Sequence, residues 1–315
     1  MKTLHLKSDH YQYLEKSFKE WLYVLGYAQG TIYNLPLHVR ELFFYLEQNN
    51  INHITELDNE LIKSHYNNLK LRSNIRRGGA LSKASLNKHI QAFYKFTEYL
   101  RQSGRLLLPM LDLEWESDDT AEIEVLSQEE VQLLYKATFG YYLNTKLEVL
   151  GARDRAILTV FYGCGLRRNE GYHLDLSDID LDRRILHVRK GKANKERFVP
   201  FNKTNAKYLQ EYIYDSRTIL NKDKTNNAFF ISQKNRRMKA QSMSIRLKLL
   251  QQRTEDIQLQ QKTVRLHVMR HSIATHLLQN GMPLGKISRF LGHTSLESTQ
   301  IYTHLVEERL REKED

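Results

Sequence analysis

The sequence predicts a mainly α-helical protein of two domains, with a small antiparallel sheet confined to the second. Three observations carry that prediction. Apolar residues recur at spacings of three and four through residues 8–105, the mark of amphipathic helices packed on one another. A run dense in carboxylates follows, over residues 106–125. Beyond it, helical patterning alternates with short runs rich in branched and aromatic residues, which read as strands. A chain of 315 residues is long for one small domain and fits two.

The first domain, residues 1–105, reads as a four-helix bundle. Leu14, Phe18, Trp21 and Leu25 form the stripe of the first helix, and Leu35, Val39, Leu42 and Leu46 that of the second. Gly30 and Thr31 are expected to separate the two, which would put Pro36 early in the second helix, where a missing N–H costs least. Asp58 caps a third helix carrying Leu61, Ile62 and Leu69. Ser82 or Ser85 caps a fourth carrying Ile90, Phe93 and Leu100. Phe43, Phe44 and Phe93 are core residues on this reading. Arg76, Arg77, Lys83 and Lys88 gather at one end of the bundle. A charge cluster is usually a solvated face, and a phosphate contact is its alternative.

Residues 106–125 hold seven carboxylates between Asp112 and Glu124 and show no sustained periodicity, so they are expected to be a solvent-facing linker. The second domain covers 126–315. Ser127 and Glu130 open it with a capping box, and an apolar helix follows from Asp154 to Gly163. ILHVR at 185–189, RFVPF at 197–201 and AFFIS at 228–232 are the expected strands. Helices resume near 203, 240 and 267 and continue almost to the end.

Composition narrows the function classes. Lys and Arg number 48 against 37 Asp and Glu, a formal charge of +11, which favours a polyanionic partner, nucleic acid before an anionic membrane surface. No apolar run reaches the ~20 residues needed to span a bilayer, and no secretion signal is evident. A single cysteine, Cys164, forms no internal disulfide, argues against a cysteine-based zinc site and reads as a small buried apolar residue. A cytoplasmic protein is expected.

Five local patterns remain, and their order matters more than any one of them. Two glycines and an arginine stand in Gly163-Cys164-Gly165-Leu166-Arg167-Arg168-Asn169-Glu170. A basic turn, Lys190-Gly191-Lys192-Ala193-Asn194-Lys195, joins two strands. His267 and Arg270 share one helical face at i, i+3. Leu291-Gly292-His293 follows, and then Tyr302, on a helix that Thr294 and Glu297 are expected to cap. His267, His271 and His276 lie on one helix, but the pattern is not that of a zinc-protease helix, and no metal is expected there.

Taken together, these residues resemble the tyrosine recombinase (phage integrase) family, and most its Xer branch, over nearly the whole chain. The resemblance implies a helical core-binding domain followed by a mixed α+β catalytic domain. It matches Arg167 to the first catalytic arginine, Glu170 to a supporting acid, and Lys192 to the lysine of the strand-to-strand turn, with Lys190 and Lys195 as alternatives in register. His267 and Arg270 match the His-x-x-Arg box, His293 the second histidine, and Tyr302 the nucleophile. Ala193 stands where the family commonly has glycine, and Arg168, Asn169 and Gly171 where small or apolar residues are frequent.

The chemistry fits those residue types. Charge develops on two nonbridging phosphate oxygens, and Arg167 and Arg270 offer forked donors to them, as lysine does less well. His293 adds a hydrogen bond. A tyrosine with a free pKa of ~10 needs help to ionise. The resemblance gives His267 as general base and Lys192 as general acid for the departing 5′ oxygen. The product is a covalent 3′-phosphotyrosine that a second 5′-hydroxyl attacks, with no cofactor. The implied partner is double-stranded DNA with inverted half-sites, bound by a dimer per site and a tetramer in the synapse, the second subunit type being either the same chain or a related recombinase. Integration by a mobile element, type IB topoisomerase-like nicking and closing, and a catalytically silent sequence-specific DNA-binding protein are the alternatives.

Overall fold

The structure, a computed structural model, describes residues 4–73, 78–117, 124–139, 145–189, 196–293 and 299. It divides into two compact units, Met1–Ala121 and Glu122–Asp315, each with its own apolar core.

The first unit is built of α1 (Asp9–Val24), α2 (Gln29–Gln48), α3 (Asn59–Leu71) and α4 (Lys83–Gln102). Side-chain caps open three of them: Ser8, Asp58 and Ser82 each accept a bond from a backbone N–H of the first turn. The stripe of α2 is buried as expected, and so are Ile90, Phe93 and Leu100 of α4. In α1 the buried stripe is Tyr11, Leu14, Phe18 and Leu22, while Leu25 is exposed. Both stripes have helical spacing; the ring of Tyr11, stacked on Phe43 at 4.7 Å, decides the face. The break between α1 and α2 also differs from expectation. It falls at Gly26, whose φ of +73° a side chain would resist, and Gly30 and Thr31 lie in the first turn of α2. Pro36 is therefore interior to α2, and the carbonyl of Ile32 has no N–H at residue 36 to accept from.

The carboxylate-rich stretch is not a free spacer along its first part. Leu108, Leu111 and Leu113 are buried in the first unit's core while Glu114 is exposed. Glu116 is fixed by Tyr66 Oη, which donates to its Oε1 at 2.7 Å, and by Lys70 Nζ at 2.6 Å. Asn87 completes the anchor through both of its amide atoms. Leu111-x-Leu113 is a short period-two pattern that the density of charge masks.

The second unit begins with α5 (Gln128–Lys136), opened by the Ser127–Glu130 capping box. α6 (Thr145–Leu158) continues through a π-helical turn, Thr159–Gly163, to the two-glycine segment, and α7 (Arg168–His173) starts directly after Arg167. A three-stranded antiparallel sheet of β1 (Ile179–Asp180), β2 (Ile185–Val188) and β3 (Arg197–Pro200) follows, in the order β1-β2-β3, with Leu186 opposite Val199 and Val188 opposite Arg197. The third expected strand, 228–232, makes only single bridges, Ala228 to Asp175 and Ile231 to Arg237. Its apolar run is core rather than sheet, for Phe229, Phe230 and Ile231 are all buried. The remaining helices are α8 (Lys203–Glu211), α9 (Arg217–Leu220), α10 (Ala240–Gln251), α11 (Ile257–Gln261), α12 (Leu266–Gln279) and α13 (Leu284–Leu291). Cys164 is fully buried, and burial pushes its thiol up to about 12. No helix among the described residues is long and apolar enough to cross a membrane.

Candidate active site

Four sequence-distant segments meet at the C-terminal end of α13. The first is the turn from Gly165 to Glu170. Gly165 has φ +61°, and a Cβ there would lie 2.9 Å from Leu291 and 3.0 Å from Phe290, so only glycine brings this turn against α13. Arg167 stands at the N-cap of α7. Its backbone N–H donates to Glu170 Oε2 at 2.8 Å and its guanidinium to Glu170 Oε1 at 2.9 Å, so the carboxylate pins both ends of the arginine.

The second segment is the first turn of α12. Arg270 is buried, while His267, one turn earlier on the same face, is exposed. Arg270 donates to the carbonyl of Gly165 at 2.6 Å and to that of Leu291 at 2.7 Å, and lies 3.9 Å from Glu170. The third segment is the end of α13 itself. Its last carbonyls carry the negative end of the helix dipole, and they draw in guanidinium groups: Arg167 donates to Gly292 O at 2.9 Å, beside the Arg270 bond to Leu291. Gly292 terminates the helix at φ +65°, which turns His293 toward the cluster. His293 Nδ1 shares a 2.7 Å hydrogen bond with the buried hydroxyl of Thr299.

The fourth segment is β3, and it supplies a residue for which the sequence suggested no role. Arg197 donates from both terminal nitrogens to both oxygens of Glu170, each at 2.9 Å, and from Nε to Phe290 O at 3.1 Å. It lies two residues beyond the basic turn that ends at Lys195. Strand alternation was the available signal: Arg197 lies on the same face as the buried Val199, while Phe198 between them is exposed. An arginine on the inward face of a strand calls for a buried acid.

Glu170 is thus the hub of three arginines. Burial alone would raise its carboxyl, but the bonds and charge of Arg197 and the bonds of Arg167 overcome it and hold it at about 2. Three guanidinium groups against one carboxylate leave the cluster positive. The histidines feel that field. His293 is lowered to about 4, first by burial and then by Arg270, Arg167 and Arg197. His271 is lowered to about 4 by burial and by His267 and Arg270. His267 is lowered by partial loss of water and by the charges of Arg270, Arg168 and Arg167. At neutral pH all three are therefore neutral imidazoles, able to accept a proton or a hydrogen bond. The arrangement is a cationic, donor-rich surface with neutral bases at its rim, suited to a phosphodiester.

Of the expected site residues, Arg167, Glu170, Arg270 and His293 are brought together here, with His267 on the same helical turn as Arg270. Lys192 and Tyr302 lie outside the described residues, as do Arg76 and Arg77 and the expected helix start at Thr294 and Glu297. Lys83 and Lys88 are exposed on the first unit, and Lys83 donates to the carbonyl of Ser117 at 2.8 Å.

A sequence model of the phage integrase family matches residues 124–309, more than half of the chain. The chain belongs to that family. Tyrosine recombinase XerD of Oceanobacillus iheyensis is 35% identical over 233 residues, covering 73% of this chain and 74% of that one. The XerD of Staphylococcus epidermidis is 31% identical over 291 residues, 91% of each chain. Among solved structures, XerH site-specific recombinase bound to its palindromic difH substrate in a post-cleavage complex shares the fold, with a TM-score of 0.71 at 20% identity over 96% of this chain and 83% of that one. This phage integrase family member is a tyrosine recombinase of the Xer type, a DNA strand transferase for site-specific recombination. The silent DNA-binding alternative is not favoured.

Proposed function

We propose that the chain recombines duplex DNA by forming a 3′-phosphotyrosine at Tyr302, with Arg167, Arg270 and His293 cradling the scissile phosphate. The observation that carries this reading is the convergence of Arg167 and Arg270 on neighbouring carbonyls of one helix end, at 2.9 and 2.7 Å, beside His293. Two forked cations fixed side by side match two nonbridging oxygens, and each such donor contributes roughly 3–4 kcal/mol to the transition state. Glu170 orients Arg167 and transfers no proton. His267, neutral and exposed, takes the proton of the Tyr302 hydroxyl as the oxygen attacks phosphorus. The phosphorus–5′-oxygen bond breaks, and Lys192 protonates the departing oxygen. Rejoining reverses these steps from a partner strand, with the bond energy conserved in the phosphotyrosine.

The DNA is a site of two inverted half-sites, one molecule on each, with four in the synapse. Lys83 and Lys88, with Arg76 and Arg77, contact backbone phosphates in this reading, and binding then weakens steeply with salt. The domain assignment follows: residues 1–105 bind the core site, 126–315 carry the chemistry, and the protein works in the cytoplasm.

The test is a nicked suicide duplex bearing a site selected from random sequences by the protein itself. Wild type is expected to accumulate a covalent protein–DNA adduct, and Tyr302→Phe to bind equally and trap none. Equal binding with no adduct from either protein refutes the catalytic reading. An adduct that persists in Tyr302→Phe moves the nucleophile elsewhere.

A further inference from the structure

The first unit contains a buried polar cluster that recombination does not use. His38 and Glu41 lie one turn apart on the same face of α2, and His89 faces them from α4. Glu41 and His89 are 8% and 2% exposed. The rings of His38 and His89 approach to 4.2 Å between centroids. One donor atom from each of the three residues lies within 4.8 Å of the other two. It is the one such group of His, Cys, Asp or Glu donors among the described residues.

The cluster is incompletely satisfied. His89 Nε2 stands 3.9 Å from Glu41 Oε2, too far for a hydrogen bond. Nδ1 of His38 and Nδ1 of His89 are buried without a hydrogen-bond partner among the described residues. Buried polar atoms left this way cost free energy that apolar side chains of the same size would avoid. Two such nitrogens on two helices, in residues whose donor atoms lie within 4.8 Å of one another, ask for a common partner. The charged groups around them are Arg72, which donates to Glu41 Oε2 at 2.8 Å, and Lys88, whose charge reaches His38. His65 of α3 also acts on His89 through its charge, and its own two nitrogens have no hydrogen-bond partner among the described residues. The Arg72 side chain is 43% exposed and stands on the solvent side of the carboxylate, in the place of the outer partner that carboxylate ligands commonly keep.

We propose that His38, Glu41 and His89 form a binding site for a zinc-class divalent cation that ties α2 to α4. Two imidazoles and a carboxylate suit a borderline metal, and three protein donors leave a fourth position for water. Calcium and magnesium, which take sets of oxygens, are poor matches. Bonds of ~2 Å require the donors to draw closer than 4.8 Å, so the proposal requires the side chains to rotate when the cation binds. The expectation of no metal rests on the single cysteine and on the spacing in the His267 helix; His89 lies 48 residues beyond Glu41, so these donors form no contiguous motif. The cation would brace the bundle independently of the DNA chemistry.

The full-length chain, without a polyhistidine tag and stripped by a chelator, is titrated with zinc. Wild type is expected to take up one tight equivalent. His38→Gln and Glu41→Gln should each weaken it more than ~10-fold, and His267→Asn, in the other unit, should leave it unchanged. No uptake at micromolar free zinc, equal uptake by both α2 variants, or loss of uptake in His267→Asn overturns the site. Cobalt loaded into wild type gives a reading that does not depend on variants folding. An intense visible band of low coordination is expected, and a weak octahedral band counts against the proposal.

Discussion

Two buried glutamates, Glu170 and Glu41, organise the polar interiors of the two units in opposite ways. Glu170 receives bonds from Arg167 and Arg197 on both oxygens, with Arg270 close by, and those arginines spend other N–H groups on helix-end carbonyls. Glu41 receives a bond from Arg72, and the imidazoles around it keep nitrogens without a partner among the described residues. A satisfied buried network holds one geometry, because every alternative leaves a charge or a donor stranded. An unsatisfied one is stable only while its surroundings tolerate the cost, and it is where a ligand adds most. The catalytic unit needs its guanidinium groups fixed before the phosphate arrives.

Breaking the satisfied hub should have the largest effect. Glu170→Ala leaves Arg197 and Arg270, whose side chains are 10% and 5% exposed, without their carboxylate. Removing one partner of such a cluster costs about 3–5 kcal/mol, to be read as a lower denaturation midpoint of the catalytic unit. A loss under ~1 kcal/mol would mean that the helix-end carbonyls alone hold the arginines. Arg197→Met tests the next level. Arg167 and Arg270 remain, but the carboxylate that aims Arg167 is free to shift, and misplacement of a positioning group costs on the order of 10²-fold. Covalent trapping on the suicide duplex should fall by that amount with DNA affinity retained. If affinity and trapping fall together, Arg197 supports the fold and not the aim of Arg167.

Much of this was legible in the sequence, and the exceptions share a cause. Helical stripes, the caps at Asp58, Ser82 and Ser127, and the ordered set Arg167, Glu170, His267, Arg270 and His293 depend on residues close in the chain or on a family pattern. The inward Arg197, 27 residues from Glu170, depends on the register of β2 and β3, which no local spacing reveals. The face of α1 hung on which of two helical stripes met Phe43. The run 228–232 has strand composition, yet its hydrogen bonds run to the side chains of Tyr212 and Arg217 and to the backbone of Arg236 and Met238, so composition misnamed it. The acidic stretch was read by charge when its alternate leucines were the better guide. His38, Glu41 and His89 were invisible as a group because α2 and α4 come together only on folding.

Acid sharpens the contrast between the two interiors with a smaller effect. His65 is 4% exposed, lies between Tyr45 and Phe93, and is pushed down to about 3 by burial and by Arg72. Its folded value is below the unfolded 6.5, so the folded state binds fewer protons, and stability present above pH 6.5 is lost as pH falls toward 3. Glu170 runs on a lower scale. Held at about 2 against an ordinary 4.5, it stabilises above pH 4.5 and loses that contribution only as pH falls through about 2. Between pH 6.5 and 4.5 His65 should therefore soften the metal-free first unit while the Glu170 carboxylate itself does not respond. One proton sets a slope of at most ~1.4 kcal/mol per pH unit from His65. His65→Leu should lessen that slope and, by removing two unpartnered buried nitrogens, leave stability at pH 7.5 equal or higher. Urea melts of the metal-free chain followed at the first unit's tryptophans, Trp21 and Trp115, measure both, since no tryptophan lies in the second unit. An unchanged slope in His65→Leu would mean that this imidazole is already protonated or solvated in the folded chain, and the unsatisfied character of the first unit's interior would then be confined to the α2–α4 pair.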